Sequence, residues 1–461
     1  MTQFNNNKLT PIFTALGSLA LLTLGACSSD SDDSSDTGAI QLYNGTINGP
    51  TMTLTIEDVA RTSAELGDVT TTHSYTSDDY SYAIQYTNDQ GNLVDLLTDD
   101  IEIKGDTKSL LVMYGDIAEQ LTMNIELPMD DFDDEFTLQL LNITQEGRHF
   151  DLYMAEDDGV FDQAELITSA AFETLSEAIT IENDSYTFYL TQAGDTTPIW
   201  QSDVVNISAD EALVFVLRPS YDNNSDFLTM DIISNSNSAY TLKNQDAGAQ
   251  VQFYNSMDEY TNTTFRATKH NEVHSTEPAL ADTVTPYLEL SANSYSISML
   301  DESGGSLVDN YLLTLEQEQS VLGVFYNDEQ YGPRLLSVTQ NLVPSSVTHA
   351  ITVVNLVDQY AGLPVTKLDF YFTLDGQPIS QTEHHLDGVS RYSTKSINLL
   401  DKAYEFYAIL EDNGQQIVIH QEGDVDFTDD GNYILILERD TQSSSGYKLT
   451  PIHTVLEETD E

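Results

Sequence analysis

Two histidines and an acid stand close together in His270-Asn-Glu-Val-His274. On a strand, residues two and four apart share a face, so His270, Glu272 and His274 could converge on zinc. A zinc-protease motif would need the pair on a helix. The Thr, Asn and Ser around it predict a strand end running into a loop. His384-His385 reads as a loop pair. Glu156-Asp157-Asp158-Gly159, continuing to Asp162 and Glu165, follows part of a calcium loop: with Gly159 at the sixth position, the bidentate acid falls on Glu165. Met154 then occupies the first ligand position and cannot bind, so an acidic hairpin loop is expected. The acids from Asp130 to Glu135 offer a looser calcium site at a joint between repeats. There is no G-x-S-x-G and no phosphate-cradling glycine loop. Ser, His and Asp are too scattered to nominate a triad, and among 76 acids no glycosidase pair stands out. The expectation is no catalytic residue, no cofactor and no metal site, hence not an enzyme.

One reactive group remains, Cys27, the only cysteine of the chain. Residues 1–26 contain Lys8 and no acid, and an apolar stretch from Leu9 to Leu24 is interrupted by Pro11. That stretch is too short to span a membrane, which takes about 20 apolar residues, and fits the apolar part of a secretory signal. Leu24-Gly25-Ala26-Cys27 closes it. This resembles the lipobox of bacterial lipoproteins at all four positions. The resemblance implies cleavage before Cys27, a diacylglyceryl thioether on its sulfur and an acyl chain on its nitrogen. Each buried methylene contributes about 0.8 kcal/mol, and stable attachment takes more than one chain. Ser28, where such proteins carry Asp when retained at the inner membrane, implies the outer membrane, on its periplasmic face or at the cell surface. Residues 28–38 are Ser, Asp, Thr and Gly without an apolar side chain, which predicts a flexible, self-repelling tether over 27–38.

The formal net charge is −60, and the chain holds 16 Lys and Arg in 461 residues. Nucleic acid is therefore excluded as a partner, because phosphate binding needs a basic face. The acid is spread along the whole length, a surface that stays soluble and repels itself, with calcium as a possible counter-ion. Tyr (25) and Phe (17) abound while Lys and Arg are scarce, which favours strands over helices.

The organising feature is an internal repeat. Ile40-Gln-Leu-Tyr-Asn44, Leu138-Gln-Leu-Leu-Asn142, Val251-Gln-Phe-Tyr-Asn255 and Ile351-Thr-Val-Val-Asn355 each read apolar, polar, apolar, apolar, Asn. The Asn marks a strand exit, where its side chain tolerates left-handed turns and bonds nearby backbone. A second strand follows at Met52–Ile56, Phe150–Met154, Phe265–Lys269 and Leu368–Phe372. A tyrosine then opens a hairpin strand at Tyr82, Tyr186, Tyr295 and Tyr404, turning at Gly91, Gly194, Gly304-Gly305 and Gly414. An apolar pair resumes after each turn, at Leu93-Val94, Ile199-Trp200, Leu307-Val308 and Ile417-Val418. An apolar–x–apolar strand comes next, at Ile101/Ile103, Val205/Ile207, Leu313/Leu315 and Val425/Phe427. Each copy is expected to close with an apolar strand at Leu110–Tyr114, Leu213–Leu217, Val321–Tyr326 and Tyr433–Leu437. About seven short strands in about 100 residues predict an all-β chain of four tandem immunoglobulin-like β-sandwich domains. The repeats are placed at 39–130, 131–240, 245–343 and 346–456. An eight-bladed propeller would show a half-period repeat, and none is visible.

Phe150-Asp-Leu-Tyr-Met-Ala-Glu-Asp-Asp-Gly159 and Leu368-Asp-Phe-Tyr-Phe-Thr-Leu-Asp-Gly376 resemble the "V-D-V-Y-V-D-G" strand of the family called domain of unknown function 4397, found as tandem sandwich modules in exported bacterial proteins. The opening strands and the Tyr hairpins fit it as well. The resemblance implies the sandwich fold over residues 39–456 and supplies no activity. The function expected is a non-catalytic, membrane-anchored envelope lipoprotein in a structural, adhesive or interaction role, with an envelope protein or glycan as partner. A glycan-, peptide- or calcium-binding module using the hairpin loops is the alternative, and a hydrolase without a recognisable site comes last.

Overall fold

The computed structural model describes residues 36–88, 92–130, 132–221 and 228–455. The signal segment, Cys27, most of the tether, the Gly91 turn and the acidic tail after residue 455 lie outside them.

The described chain is nearly all strand, and each repeat is a β-sandwich. The opening strands are Thr37–Ile47, Glu135–Asn142, Gly248–Asn255 and Thr348–Asn355. Each pairs in parallel with a late strand of its own repeat: Thr107–Asp116, Ala212–Pro219, Ser320–Asp328 and Asn432–Arg439. Parallel neighbours need a long crossover, and the rest of the repeat provides it as the second sheet. There the second strand lies between an edge strand and the Tyr strand, with the return strand beyond.

The late strand does not close the repeat. A further antiparallel strand follows it, at Leu121–Pro128, Leu228–Ile233, Gly332–Thr339 and Tyr447–Thr454. The apolar pair and the apolar–x–apolar segment that read as two strands are one in three repeats, within Leu93–Ile103, Ser306–Leu315 and Gln415–Asp426, though Phe427 falls just past the last. Only the second repeat splits them, into Trp200–Gln201 and Val205–Ile207. The reason is bulging. Register shifts interrupt these three hairpins, and Asn310 and Asp424 sit at positive φ inside their strands. A bulge inverts the alternation of side chains, which looks like a strand boundary in sequence.

The end of the expected tether is strand too. Thr37 and Gly38 pair with Thr76 and Tyr75. A Cβ on Gly38 would lie 2.0 Å from the Lys104 carbonyl oxygen, so the glycine serves close backbone approach rather than flexibility.

The four exit asparagines are fully buried, and none has positive φ. Their role is to bond backbone. The Asn142 amide donates to the carbonyls of Arg148 and Ala170, and its Oδ1 accepts from Thr144 N. Asn44 does the same with Pro50, Ala64 and Thr46, Asn255 with Tyr260 and Met257, and Asn355 with Val389 and Val357. In repeats 1, 2 and 4 the amide ties the opening strand to the far sheet.

The repeat tyrosines act as corners. The hydroxyls of Tyr186 and Tyr295 donate to the carbonyls of Glu182 and Ser291, four residues back, and that of Tyr404 accepts from Leu400 N. In the first repeat Tyr80 makes this bond, to Thr76, not Tyr82. Tyr80 pairs with Ile101 as Tyr186 pairs with Val205 and Tyr295 with Leu313.

Replacing Asn142 by Ala would leave one buried and one part-buried carbonyl, and the N–H and hydroxyl of Thr144, without their partner. The expected loss is about 2–3 kcal/mol, read as a lower denaturant midpoint at unchanged slope, whereas Ala at exposed Asn206 should leave the midpoint in place.

Candidate functional site

The structure disperses the sequence candidates. His270 sits in a two-residue turn at φ 52°, and the chain reverses there, pairing Glu272 with Lys269. Glu272 and His274 thus lie on a different strand from the residues before the turn. His384 packs edge-on against Tyr404 with ring centroids 6.0 Å apart, and burial pushes its imidazole below the ordinary value. His385 stacks on Tyr371 and reaches the Asp387 carboxylate at 3.4 Å. In the acidic loop, the carbonyl at the seventh position, that of Val160, accepts from Gln163 N at 2.8 Å, and the loop is pinned by Thr187 donating to Asp157 O at 2.6 Å and Tyr189 to Gly159 O at 2.5 Å. Glu165 pairs with Met154 in the adjoining edge strand. At the first joint, Asp134 turns at φ 57° and its carbonyl accepts from Asn183 N. Among the described residues, no group of three or more His, Cys, Asp or Glu is placed to hold a metal ion.

What the structure brings together is a set of polar groups between repeats. The late strand of the first repeat reads Leu110-Leu-Val-Met-Tyr114. Leu111 and Met113 face its own core, while Leu110, Val112 and Tyr114 join Leu141, Val214, Val216 and Ile233 of the second repeat in a separate core. The third and fourth repeats do the same: Tyr254, Leu322, Val324 and Val338 pack with Val354, Ile434, Ile436 and Ile452. An unbroken apolar run means burial on both faces of a sheet. The repeats are therefore joined face to face, first to second and third to fourth, rather than strung as four separate beads.

Each of these shared cores holds one tyrosine hydroxyl on a carboxylate. Tyr43, just before Asn44, donates to Asp231 at 2.7 Å, and both residues are fully buried. Arg218 Nε and Thr241 Oγ1 also donate to Asp231, each at 2.6 Å. Tyr254, just before Asn255, donates to Glu438 at 2.5 Å, which also accepts from Thr450 at 2.7 Å. Lys448 stands 3.7 Å from Glu438 and 2.5 Å from Asp282. Burial pushes both tyrosine hydroxyls up, and the neighbouring carboxylate adds to the effect. Burial also raises the Glu438 carboxyl, against the pull of its hydroxyl partners and Lys448. The odd repeats carry Tyr where the even ones carry Leu141 and Val354. That alternation was present in the four opening strands and is the signal that could have revealed the pairing.

A third buried group lies at the first interface. Lys108 is fully buried, and its ammonium donates to the Ser234 carbonyl of the second repeat. Burial lowers its pKa to about 8, against the opposing pull of Glu211. Between the two pairs the contacts are polar: Asn244 N donates to Glu318 at 3.0 Å, and Ser346 N and Oγ to the Asn48 carbonyl at 3.2 Å. This arrangement ties modules together.

No protein-family profile matches the chain, and no curated protein sequence does. Two solved structures are similar at low level. One is the Bacillus anthracis TIE protein, 9% identical, over 88% of this chain and 75% of that one, with a TM-score of 0.15. The other is a streptococcal ancillary pilin, 10% identical, over 63% of this chain and 95% of that one, with a TM-score of 0.14. The fold assignment rests on the strands and registers above: an all-β chain of tandem immunoglobulin-like sandwiches.

Tyr43→Phe removes one hydrogen bond to a buried charge and should cost about 1.5–3 kcal/mol. A double-mutant cycle with Asp231→Asn should return a coupling of the same order, and additive losses would place the two residues in separate environments. Lys108 adds a pH signature. Its folded pKa lies below the unfolded value, so between about pH 8 and 10.5 the unfolded chain binds more protons and stability rises with pH. Relative to Lys108→Met, the parent should gain up to about 3 kcal/mol across that window. A flat difference would show an ammonium that keeps its hydration.

Proposed function

We propose that this is a non-catalytic lipoprotein of the bacterial cell envelope, acylated at Cys27 and held at the outer membrane in a structural, adhesive or interaction role. In this reading its repeats are modules of the domain of unknown function 4397 family. The observation that carries the proposal is the face-to-face joining of repeats through cores of their own. A chain built so presents a fixed surface, because neighbouring modules cannot turn without exposing Leu110, Val112, Val214 and Val216, or their counterparts in the other pair, to water. Obligate contacts of this apolar kind behave as a domain core cut in half. The net charge of −60 supports the same reading. It repels nucleic acid and anionic lipid alike, so the membrane is reached by acyl chains, and the partner is an envelope protein or a glycan.

Mass spectrometry of the mature N-terminus tests the anchor. The expected first residue is Cys27, carrying a diacylglyceryl thioether and an N-acyl group, and Cys27→Ser should move the protein from the membrane to the soluble fraction. A mature chain beginning elsewhere, or an unacylated Cys27, would sink the proposal.

A further inference from the structure

A cavity of about 1110 Å³ lies between the second and third repeats. Three strand edges border it. Trp200–Gln201 ends one sheet of the second repeat, while Glu272–Ser275 and Leu288–Ser291 each end one of the two sheets of the third. The first of these is partly covered, since Gln245 N bonds the Gln201 carbonyl and Ser202 bridges to Asn244. The two edges of the third repeat are not. Elsewhere such edges clasp each other: Thr62 bonds Thr71 in the first repeat, and Lys395 reaches the Asp387 carbonyl in the fourth. In the third repeat the only link among the described residues is a 3.4 Å contact from Lys269 Nζ to Ser291 Oγ.

The register shows what the open edge offers. The two-residue turn makes Lys269 and Glu272 the hydrogen-bonded closing pair. Val273 therefore turns its N–H and C=O away from the neighbouring strand and toward the cavity side, with its side chain 57% exposed. Free backbone donors and acceptors beside an exposed apolar residue are a template for an added strand. Asp246, Glu272 and Glu289 line the cavity against one ammonium, Lys269, so the occupant is basic. That rules out the chain's own Ser/Asp tether and acidic tail, and a second copy at −60.

We propose that this edge, Glu272–Ser275, binds an extended, lysine- or arginine-bearing segment of another protein as an added β-strand. Main-chain bonds to Val273 supply the affinity, and the three carboxylates supply the selection for positive charge. The inference does not depend on the lipid anchor.

The test uses the full chain and a fluorescent octapeptide of alternating valine and lysine. Its controls are the same peptide N-methylated at alternate residues, with identical charge, and a valine–glutamate octapeptide. The parent should bind the first peptide at physiological salt and protect amides within 272–275 from hydrogen exchange. N-methylation and Val273→Pro should each weaken binding at least tenfold, since proline is tolerated on an edge where its nitrogen faces outward. Glu272→Gln with Glu289→Gln should weaken binding several-fold and flatten its salt dependence. The acidic peptide should not bind. Equal affinity for the methylated and unmethylated peptides, protection confined to other segments, or no binding at all would overturn the proposal.

Discussion

A sheet buried on both faces is the constraint from which most of this molecule follows. The opening and late strands of every repeat pair in parallel at the centre of one sheet. One face of that sheet closes on the repeat's own second sheet, the other on the neighbouring repeat. Side chains at the centre of such a strand are shut away from water on either face, so the late strands are apolar without interruption. Polar groups that remain there must find partners inside the protein, because an unpaired buried group costs about 1–3 kcal/mol. Tyr43, Lys108 and Tyr254 meet that demand across the interface, each bonding a group of the adjoining repeat.

The buried asparagines answer the same constraint at the strand exits. Where an opening strand leaves the sheet, its ladder ends while the chain is still buried. One side chain with two donors and an acceptor then satisfies the backbone of the turn and, in most repeats, of the opposite sheet. The recurrence of Asn at positions 44, 142, 255 and 355 is thus a hydrogen-bonding requirement of the sandwich. It is met without the left-handed backbone that Asn so often marks.

Charge and packing divide the labour. The surface carries nearly all of the acid and keeps the chain in solution, while the few cations are placed with purpose. Arg218 neutralises Asp231, and Lys448 sits between Asp282 and Glu438. A buried ion pair adds little stability compared with an apolar substitute, but breaking one is costly. Such groups therefore fix which face of one repeat meets which face of the next. The carboxylates around the open edge of the third repeat belong to the other class, exposed charge that selects what approaches.

The sequence made most of the strands, their order and the sandwich class legible, because alternation, turn residues and a repeat of about 100 residues are local signals that survive without neighbours, but it did not mark the strand that closes each repeat. It also marked Asn44 and its counterparts, and the tyrosine that opens each hairpin strand, though not the corner bond it makes in three of them. Tyr80 in place of Tyr82, and the long return strands read as two, escaped it because bulges shift the alternation that such reading depends on. Only tertiary structure decided that the repeats join in pairs and that a turn sets His270 apart from Glu272 and His274. It alone left the two edges of the third repeat without the clasp seen in the first and fourth. Those outcomes depend on which faces meet in space. A strand carries the same residues whether its outer face meets water or the core of a neighbour.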